Sequence, residues 1–214
     1  MHDRELLDLW ARAGQSFGTS RARVLASELA HVPDPSGVSV GDVNRALLGA
    51  WRAELGDRLE CVATCPACED RLEADLSVAG VLAEQAAGPP ALELRAPTLD
   101  DLDAAAATGS LDGAKRELVR RCASADADAD AVSAALEAAD PHLAVRLSLR
   151  CPACETPFTA VVDVAAHLWA AVDRRARAVM ADVAELASVY GWTEDDVLRL
   201  PPVRRRAYAE RAAR

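Results

Sequence analysis

Cys65-Pro-Ala-Cys-Glu69 returns at Cys151-Pro-Ala-Cys-Glu155, so four of the chain's six cysteines lie in two copies of one pentapeptide. Sliding the sequence on itself by the distance from Cys65 to Cys151 aligns more than the pentapeptide. Leu72 falls on Phe158, Ala74 on Ala160, Leu76 on Val162, Val78 on Val164 and Leu82 on Leu168. Ser77 falls on Asp163, and both are good helix caps. Each copy therefore reads as strand, Cys-Pro-Ala-Cys turn, strand and capped helix. A tight turn offering two thiolates from between two short strands is a zinc knuckle. One knuckle supplies two ligands and tetrahedral Zn²⁺ takes four, so the pair predicts one closed, structural site of Cys65, Cys68, Cys151 and Cys154. A redox Cys-Pro-x-Cys belongs at a strand-to-helix junction and does not explain the repeat, which places zinc ahead of thiol chemistry. Four reduced, metal-free thiols are the minor alternative. Knuckles usually carry glycine after the second cysteine, where the backbone turns left-handed. Glu69 and Glu155 occupy that place here at some local cost, which puts metal affinity in question.

Working outward, Leu59–Thr64 and Arg71–Leu76 alternate as strands around the first turn, with a helix capped by Ser77 running to about Ala87. Leu143–Leu149 and Phe158–Val162 do the same around the second, and a long helix runs from Asp163 to about Tyr190, stopped by Gly191. Ala91–Arg95 predicts a further strand. Helices are expected at 5–13, from a Thr19 or Ser20 cap to about His31, from a Ser39 capping box to Gly56, after Thr98, over 111–122 and over 131–139. Thr193 caps a short helix, Pro201-Pro202 breaks it, and a last helix carries Arg204, Arg205 and Arg206.

The expected fold class is α+β and mainly helical. A duplicated strand–knuckle–strand–helix unit forms a zinc-ribbon-like core, with a helical N-terminal region, a helical insertion and a C-terminal tail. The expected regions are 1–56, 57–192 with its insertion at 98–140, and 193–214.

Composition narrows the function. The chain has 214 residues, is 51% hydrophobic but only 4% aromatic, and carries a net charge of −10. Alanine-rich, aromatic-poor composition suits closely packed helices. The acidic balance argues against a nucleic-acid binder. The start, Met1-His-Asp-Arg-Glu-Leu-Leu7, lacks the basic and apolar regions of a signal peptide, and no apolar run has membrane-span length. Paired Cys-x-x-Cys without an export signal points to the reducing cytoplasm. No Gly-rich phosphate loop, Gly-x-Ser-x-Gly or His-Glu-x-x-His is present, so no enzyme, catalytic residue or small-molecule substrate is expected.

Other metal-capable residues have plainer readings. Cys61 aligns with apolar Leu147 and reads as a packing cysteine, as does Cys122 beside Leu118 and Val119. His167 aligns with Val81 and reads as a packed histidine, while His142 has no evident partner. Asp126-x-Asp-x-Asp130 imitates a calcium loop, but Ala131 stands where that loop needs glycine. It reads as an acidic linker whose Asp130 caps a helix.

Beyond Thr193 the chain is too short and charged to form its own core. Trp192 is expected to pack inside, while Arg204, Arg205, Arg206 and Tyr208 face a partner. Deleting 201–214 is expected to leave zinc content and melting nearly unchanged.

Three stretches together resemble a known family: Leu6-Leu-Asp-Leu-Trp10; the two Cys-Pro-Ala-Cys units; and His167-Leu-Trp169 with the ending Ala184-Glu-Leu-Ala-Ser-Val-Tyr-Gly-Trp-Thr-Glu-Asp-Asp-Val-Leu-Arg-Leu-Pro-Pro-Val-Arg-Arg-Arg-Ala-Tyr208. The chain looks like the T4-type baseplate hub assembly proteins of contractile phage tails and extracellular contractile injection systems, in particular the members that bear zinc knuckles. Leu92–Leu102 matches the strand-then-helix look of these proteins as well. The resemblance implies a non-enzymatic assembly factor or minor component that meets baseplate, hub or spike proteins. The competing functions are a cytoplasmic zinc-ribbon regulator of nucleic acid or transcription machinery, which the acidic charge disfavours, and a thiol-redox protein.

Overall fold

A computed structural model describes residues 1–86, 93–124 and 127–212. It is a mainly helical α+β structure with two small two-stranded sheets. The chain divides into two compact units, Phe17–His167 and Met1–Ser16 with Leu168–Arg214.

In the Phe17–His167 unit, α2 (Gly18–Glu28) and α3 (Val40–Leu55) follow α1 (Asp3–Gly14) in the chain. Helix α2 starts at Phe17 with no side-chain cap, contrary to the Thr19 or Ser20 cap expected. Thr19 spends its hydroxyl on the Asp103 carboxylate instead. Helix α3 starts as the sequence predicts: Ser39 Oγ accepts the Asp42 N–H at 3.0 Å. It stops at Gly56, whose φ of 93° suits glycine. Its inward stripe of Val43, Leu47, Leu48 and Trp51 is buried, as are Leu25 and Ala26 of α2.

The first hairpin pairs β1 (Arg58–Thr64) with β2 (Arg71–Ser77), from Arg58↔Ser77 to Thr64↔Arg71. Alternation puts Leu59, Cys61 and Ala63 of β1 inward. Helix α4 (Val78–Ala83) follows, where the Ser77 hydroxyl accepts the Gly80 N–H and the Asp57 carboxylate accepts the Ala79 N–H at 2.6 Å. The remainder of the helix expected to Ala87 is not formed through Glu84–Ala86, and Ala87 lies outside the described residues. The strand expected at Ala91–Arg95 is absent over Glu93–Arg95, while Ala91 and Leu92 lie outside the described residues. The Arg95 N–H bonds the Cys122 carbonyl at 2.8 Å rather than a ladder neighbour.

The insertion holds α5 (Leu99–Ala106), α6 (Leu111–Cys122) and α7 (Ala129–Ala139). Asp101 ties it down: only 3% exposed, it takes both Arg95 guanidinium nitrogens at 2.7 and 3.0 Å, Arg121 at 3.2 Å and the Thr98 N–H at 2.8 Å. These donors hold its carboxyl well below the usual range, Arg95 first, against a burial that raises it. Helix α7 is capped by Asp128, which accepts the Ala131 N–H at 2.9 Å, and not by Asp130 as expected. Asp126 of the calcium-like run lies outside the described residues.

The second hairpin pairs β3 (Arg146–Arg150) with β4 (Pro157–Val161). Strand β3 begins later than the expected Leu143, because the Leu143 N–H closes a turn onto the Asp140 carbonyl at 3.1 Å. Helix α8 (Val164–Tyr190) then starts under Asp163, which accepts the Ala166 N–H.

The other unit is built from α1, most of α8, α9 (Glu194–Leu198) and α10 (Pro202–Ala212). Leu6, Leu9 and Ala13 of α1 are buried at helical spacing, as are Val172, Ala176, Val179 and Leu186 of α8 and Val197 of α9. Burying each of the larger side chains stabilises by about 1.5–3 kcal/mol. Polar ties fix the register: the Trp10 indole N–H donates to Asp173 at 2.7 Å, and Arg4 pairs with Asp195.

Candidate metal centre

The two turns between the hairpin strands, residues 65–70 and 151–156, are closed by matching backbone bonds. The Cys65 N–H donates to the Asp70 carbonyl at 2.8 Å and the Glu69 N–H to the Cys65 carbonyl at 2.9 Å. At the other hairpin, Cys151 N–H donates to Thr156 at 3.0 Å and Glu155 N–H to Cys151 at 2.9 Å. Such a turn needs a left-handed residue after the second cysteine, and Glu69 and Glu155 supply it with φ of 60° and 57°. The Arg150 guanidinium braces the second by donating to the Glu155 carbonyl at 2.8 Å.

The turns bring together all four cysteines that the sequence singles out. Their sulfurs lie within 4.8 Å of one another. Cys65 Sγ is 3.7 Å from Cys154 Sγ, and Cys68 Sγ is 3.5 Å from Cys151 Sγ. A tetrahedron with metal–sulfur bonds of about 2.3 Å has sulfur–sulfur edges of about 3.8 Å, so the set fits a tetrahedral thiophilic ion. Cys65 and Cys151 are fully buried, in a cluster with Ala63 and Leu72 against which Leu149 and Phe158 pack. Cys68 and Cys154 face outward.

Protons on these sulfurs are unevenly held. The hydroxyl and backbone N–H of Thr156, then Cys68, pull the Cys154 thiol down to about 6. For Cys68, the Asp70 backbone N–H pulls downward, but the thiols of Cys154 and Cys151 together push it up to about 12. Four adjacent sulfurs cannot all ionise without a cation between them, and a bound cation would remove that obstacle. Four cysteines this close can bind a metal ion such as zinc.

Among the described residues no other group of three or more His, Cys, Asp or Glu side chains converges in this way. Cys61 and Cys122 are buried away from it, and burial raises both thiols. His167 Nδ1 faces its own helix's Asp163 carbonyl at 2.8 Å. His142 does have partners: it is 2% exposed, with Nε2 at 3.0 Å from the Val81 carbonyl and Nδ1 at 3.3 Å from Arg45. No local sequence signal reveals them.

The tail residues divide. Trp192 and Tyr208 are half-buried against each other, edge to face with ring centres 5.0 Å apart. Arg204 and Arg206 are exposed. Arg205, expected to face a partner with them, instead is 5% exposed, donating to Asp182 at 2.9 Å and to Asp3 at 2.7 Å. A single charge run on a helix turns through 100° per residue, so the middle arginine is carried inward.

Comparison of the chain with models of known families, with curated proteins and with solved structures returns no match. No helix among the described residues is long and apolar enough to cross a membrane.

Proposed function

We propose that Cys65, Cys68, Cys151 and Cys154 hold one structural Zn²⁺, and that the protein is a non-enzymatic assembly factor or minor component of a contractile tail-like baseplate or hub. The observation that carries the metal reading is the pairing of each turn's sulfurs with those of the other turn at 3.5 and 3.7 Å. All-sulfur donors at that spacing favour zinc among abundant ions, and four protein ligands leave no open position for water or substrate. Zinc there would join segments far apart in the chain and hold the fold together. The two hairpins are read as copies of one unit, each a strand, knuckle, strand and capped helix.

The baseplate reading rests on the resemblance of the ending from Ala184 to Tyr208, together with the knuckles, and on the acidic charge. In that reading α9 and α10 face a baseplate, hub or spike protein in the cytoplasm.

The test uses the full-length protein and its native gene cluster. Protein purified without added metal should carry one zinc per chain by elemental analysis. Deleting the gene should abolish assembled sheathed particles in electron micrographs, and the wild-type copy should restore them. Metal-free protein with all six thiols titratable refutes the zinc site; normal particles without the gene refute the assembly role.

A further inference from the structure

Helix α10 carries Arg204, Tyr208 and Arg211 along one side, the two arginines exposed and Tyr208 half-buried. At i, i+4 and i+7 these residues share one stripe of the helix. Arg204 and Arg211 are exposed and make no ion pair among the described residues. Elsewhere arginines are mostly engaged: Arg23, Arg58, Arg95, Arg121, Arg146 and Arg177 each hold a carboxylate. In a chain of net charge −10, this helix sets Arg204, Arg205, Arg206 and Arg211 against Glu210 alone. Tyr208 belongs to an aromatic cluster: Tyr190 stacks on Trp192 at 4.9 Å, and Tyr208 meets them at 6.0 and 5.0 Å. Beside it Val189 is 52% and Tyr190 36% exposed. Trp192 and Tyr208 are half-buried, and the cluster is partly accessible through Tyr190.

We infer that this face docks an acidic amphipathic helix of a partner protein, whose carboxylates one heptad apart receive Arg204 and Arg211 while an apolar side chain between them seats on the Tyr190–Trp192–Tyr208 cluster. Seven residues of helix rise about 10 Å, so two guanidiniums at that spacing match carboxylates at the same spacing on a second helix. Arginine's planar fork suits carboxylate, and aromatic anchors beside arginines carry much of the energy of protein interfaces. A nucleic acid fits less well, because the chain's overall negative charge repels phosphates and one short helix is no tract. A second copy packed two-fold through this face would set arginine against arginine. The inference rests on the reading that the tail faces a partner, and not on which partner that is.

The probe is a synthetic three-heptad helix with Glu once per heptad and Leu four residues after each Glu. Binding to the full-length protein is followed by nuclear magnetic resonance at the Trp192 indole, assigned by Trp192→Phe. The Glu peptide should bind and shift that signal. Its Glu-to-Gln counterpart, and the Arg204→Glu/Arg211→Glu protein, should bind about tenfold more weakly or worse, the worth of one charge-assisted pair. Arg116→Glu, at an exposed arginine of α6 with no ion pair among the described residues, should bind as wild type. The inference is overturned if the Glu peptide does not bind, if the double variant binds it equally, if a thymidine oligonucleotide binds more tightly, or if sedimentation shows self-association through this face. A protein that binds the peptide but is dispensable for particles refutes only the assembly role; one needed for particles that ignores the peptide refutes only the docking helix.

Discussion

Replacing Arg205 with alanine should unfold the unit that α10 belongs to far more readily than any neighbouring substitution. The Arg205 side chain is 6% exposed, with Asp3 at 10% and Asp182 at 36%. Removing the cation takes from Asp3 its partner at 2.7 Å, leaving it Arg175 at 3.7 Å, and takes from Asp182 its partner at 2.9 Å. Breaking a buried ion pair from one side costs about 3–5 kcal/mol. Three features lower that figure: Arg175 still faces Asp3, Asp182 is partly screened by water, and Asp3 lies in the first turn of α1, where the helix dipole favours an anion. The expected loss is about 2–3 kcal/mol. Arg205→Lys keeps the charge but not the fork and should lose about 1 kcal/mol, while Arg204→Ala should stay within about 0.5 kcal/mol of wild type. Urea unfolding in a Trp51→Phe background reads this unit alone, since Trp10, Trp169 and Trp192 all belong to it. If Arg205→Ala unfolds within about 0.5 kcal/mol of wild type, the buried network does not hold the helix. The same network reverses the expectation for the truncation: deleting 201–214 removes Arg205 and should destabilise this unit as well.

Cys151→Ser should lose both metal and fold. It opens a loop that joins Cys68 to a residue 83 positions away, and closing such a loop is worth about 4.5 kcal/mol of chain entropy. Cys122→Ser, by contrast, should cost about 1–2 kcal/mol and retain the metal, with elemental analysis and thermal melting separating the two. Glu69→Gly should raise stability by about 0.5–1 kcal/mol, because it relieves a left-handed residue at φ 60°. A fall in melting temperature would show that Glu69 earns its place by another contact. For Asp101, the carboxyl is held below its usual range in the folded state, so its contribution is complete above about pH 4 and is lost as pH falls through the folded value. Asp101→Asn should therefore be less stable at neutral pH and lose less on acidification, measured by urea midpoints between neutral and acid pH. An unchanged acid slope would refute the assignment.

The four-cysteine cluster was legible because its signal is local and repeated: two thiols three residues apart, twice, each between alternating strands. The Ser39, Ser77, Thr98 and Thr193 caps were legible for the same reason, since each pairs with an N–H three residues on. What escaped depends on distant residues. His142 is satisfied by Val81 and Arg45, which lie 61 and 97 positions away. Arg205 is satisfied by Asp3, 202 positions away, so three consecutive arginines give no hint that the middle one turns inward. The strand expected near Arg95 failed because that residue's N–H and guanidinium are claimed by Cys122, Asp101 and Arg121.

The spacing of the sulfur pairs also bears on the order of folding. Each hairpin closes across a six-residue turn and can form within about 1–10 μs, whereas the contacts between turns join cysteines 83 and 89 positions apart and must wait for the whole insertion to gather. If zinc binds as proposed, a newly made chain presents two separate bidentate half-sites before it presents one complete site. At limiting zinc the two halves compete for one ion and end by sharing it. At excess zinc each half can fill on its own, and refolding must then wait for one ion to leave. The refolding rate should accordingly pass through a maximum near one zinc per chain and fall beyond it.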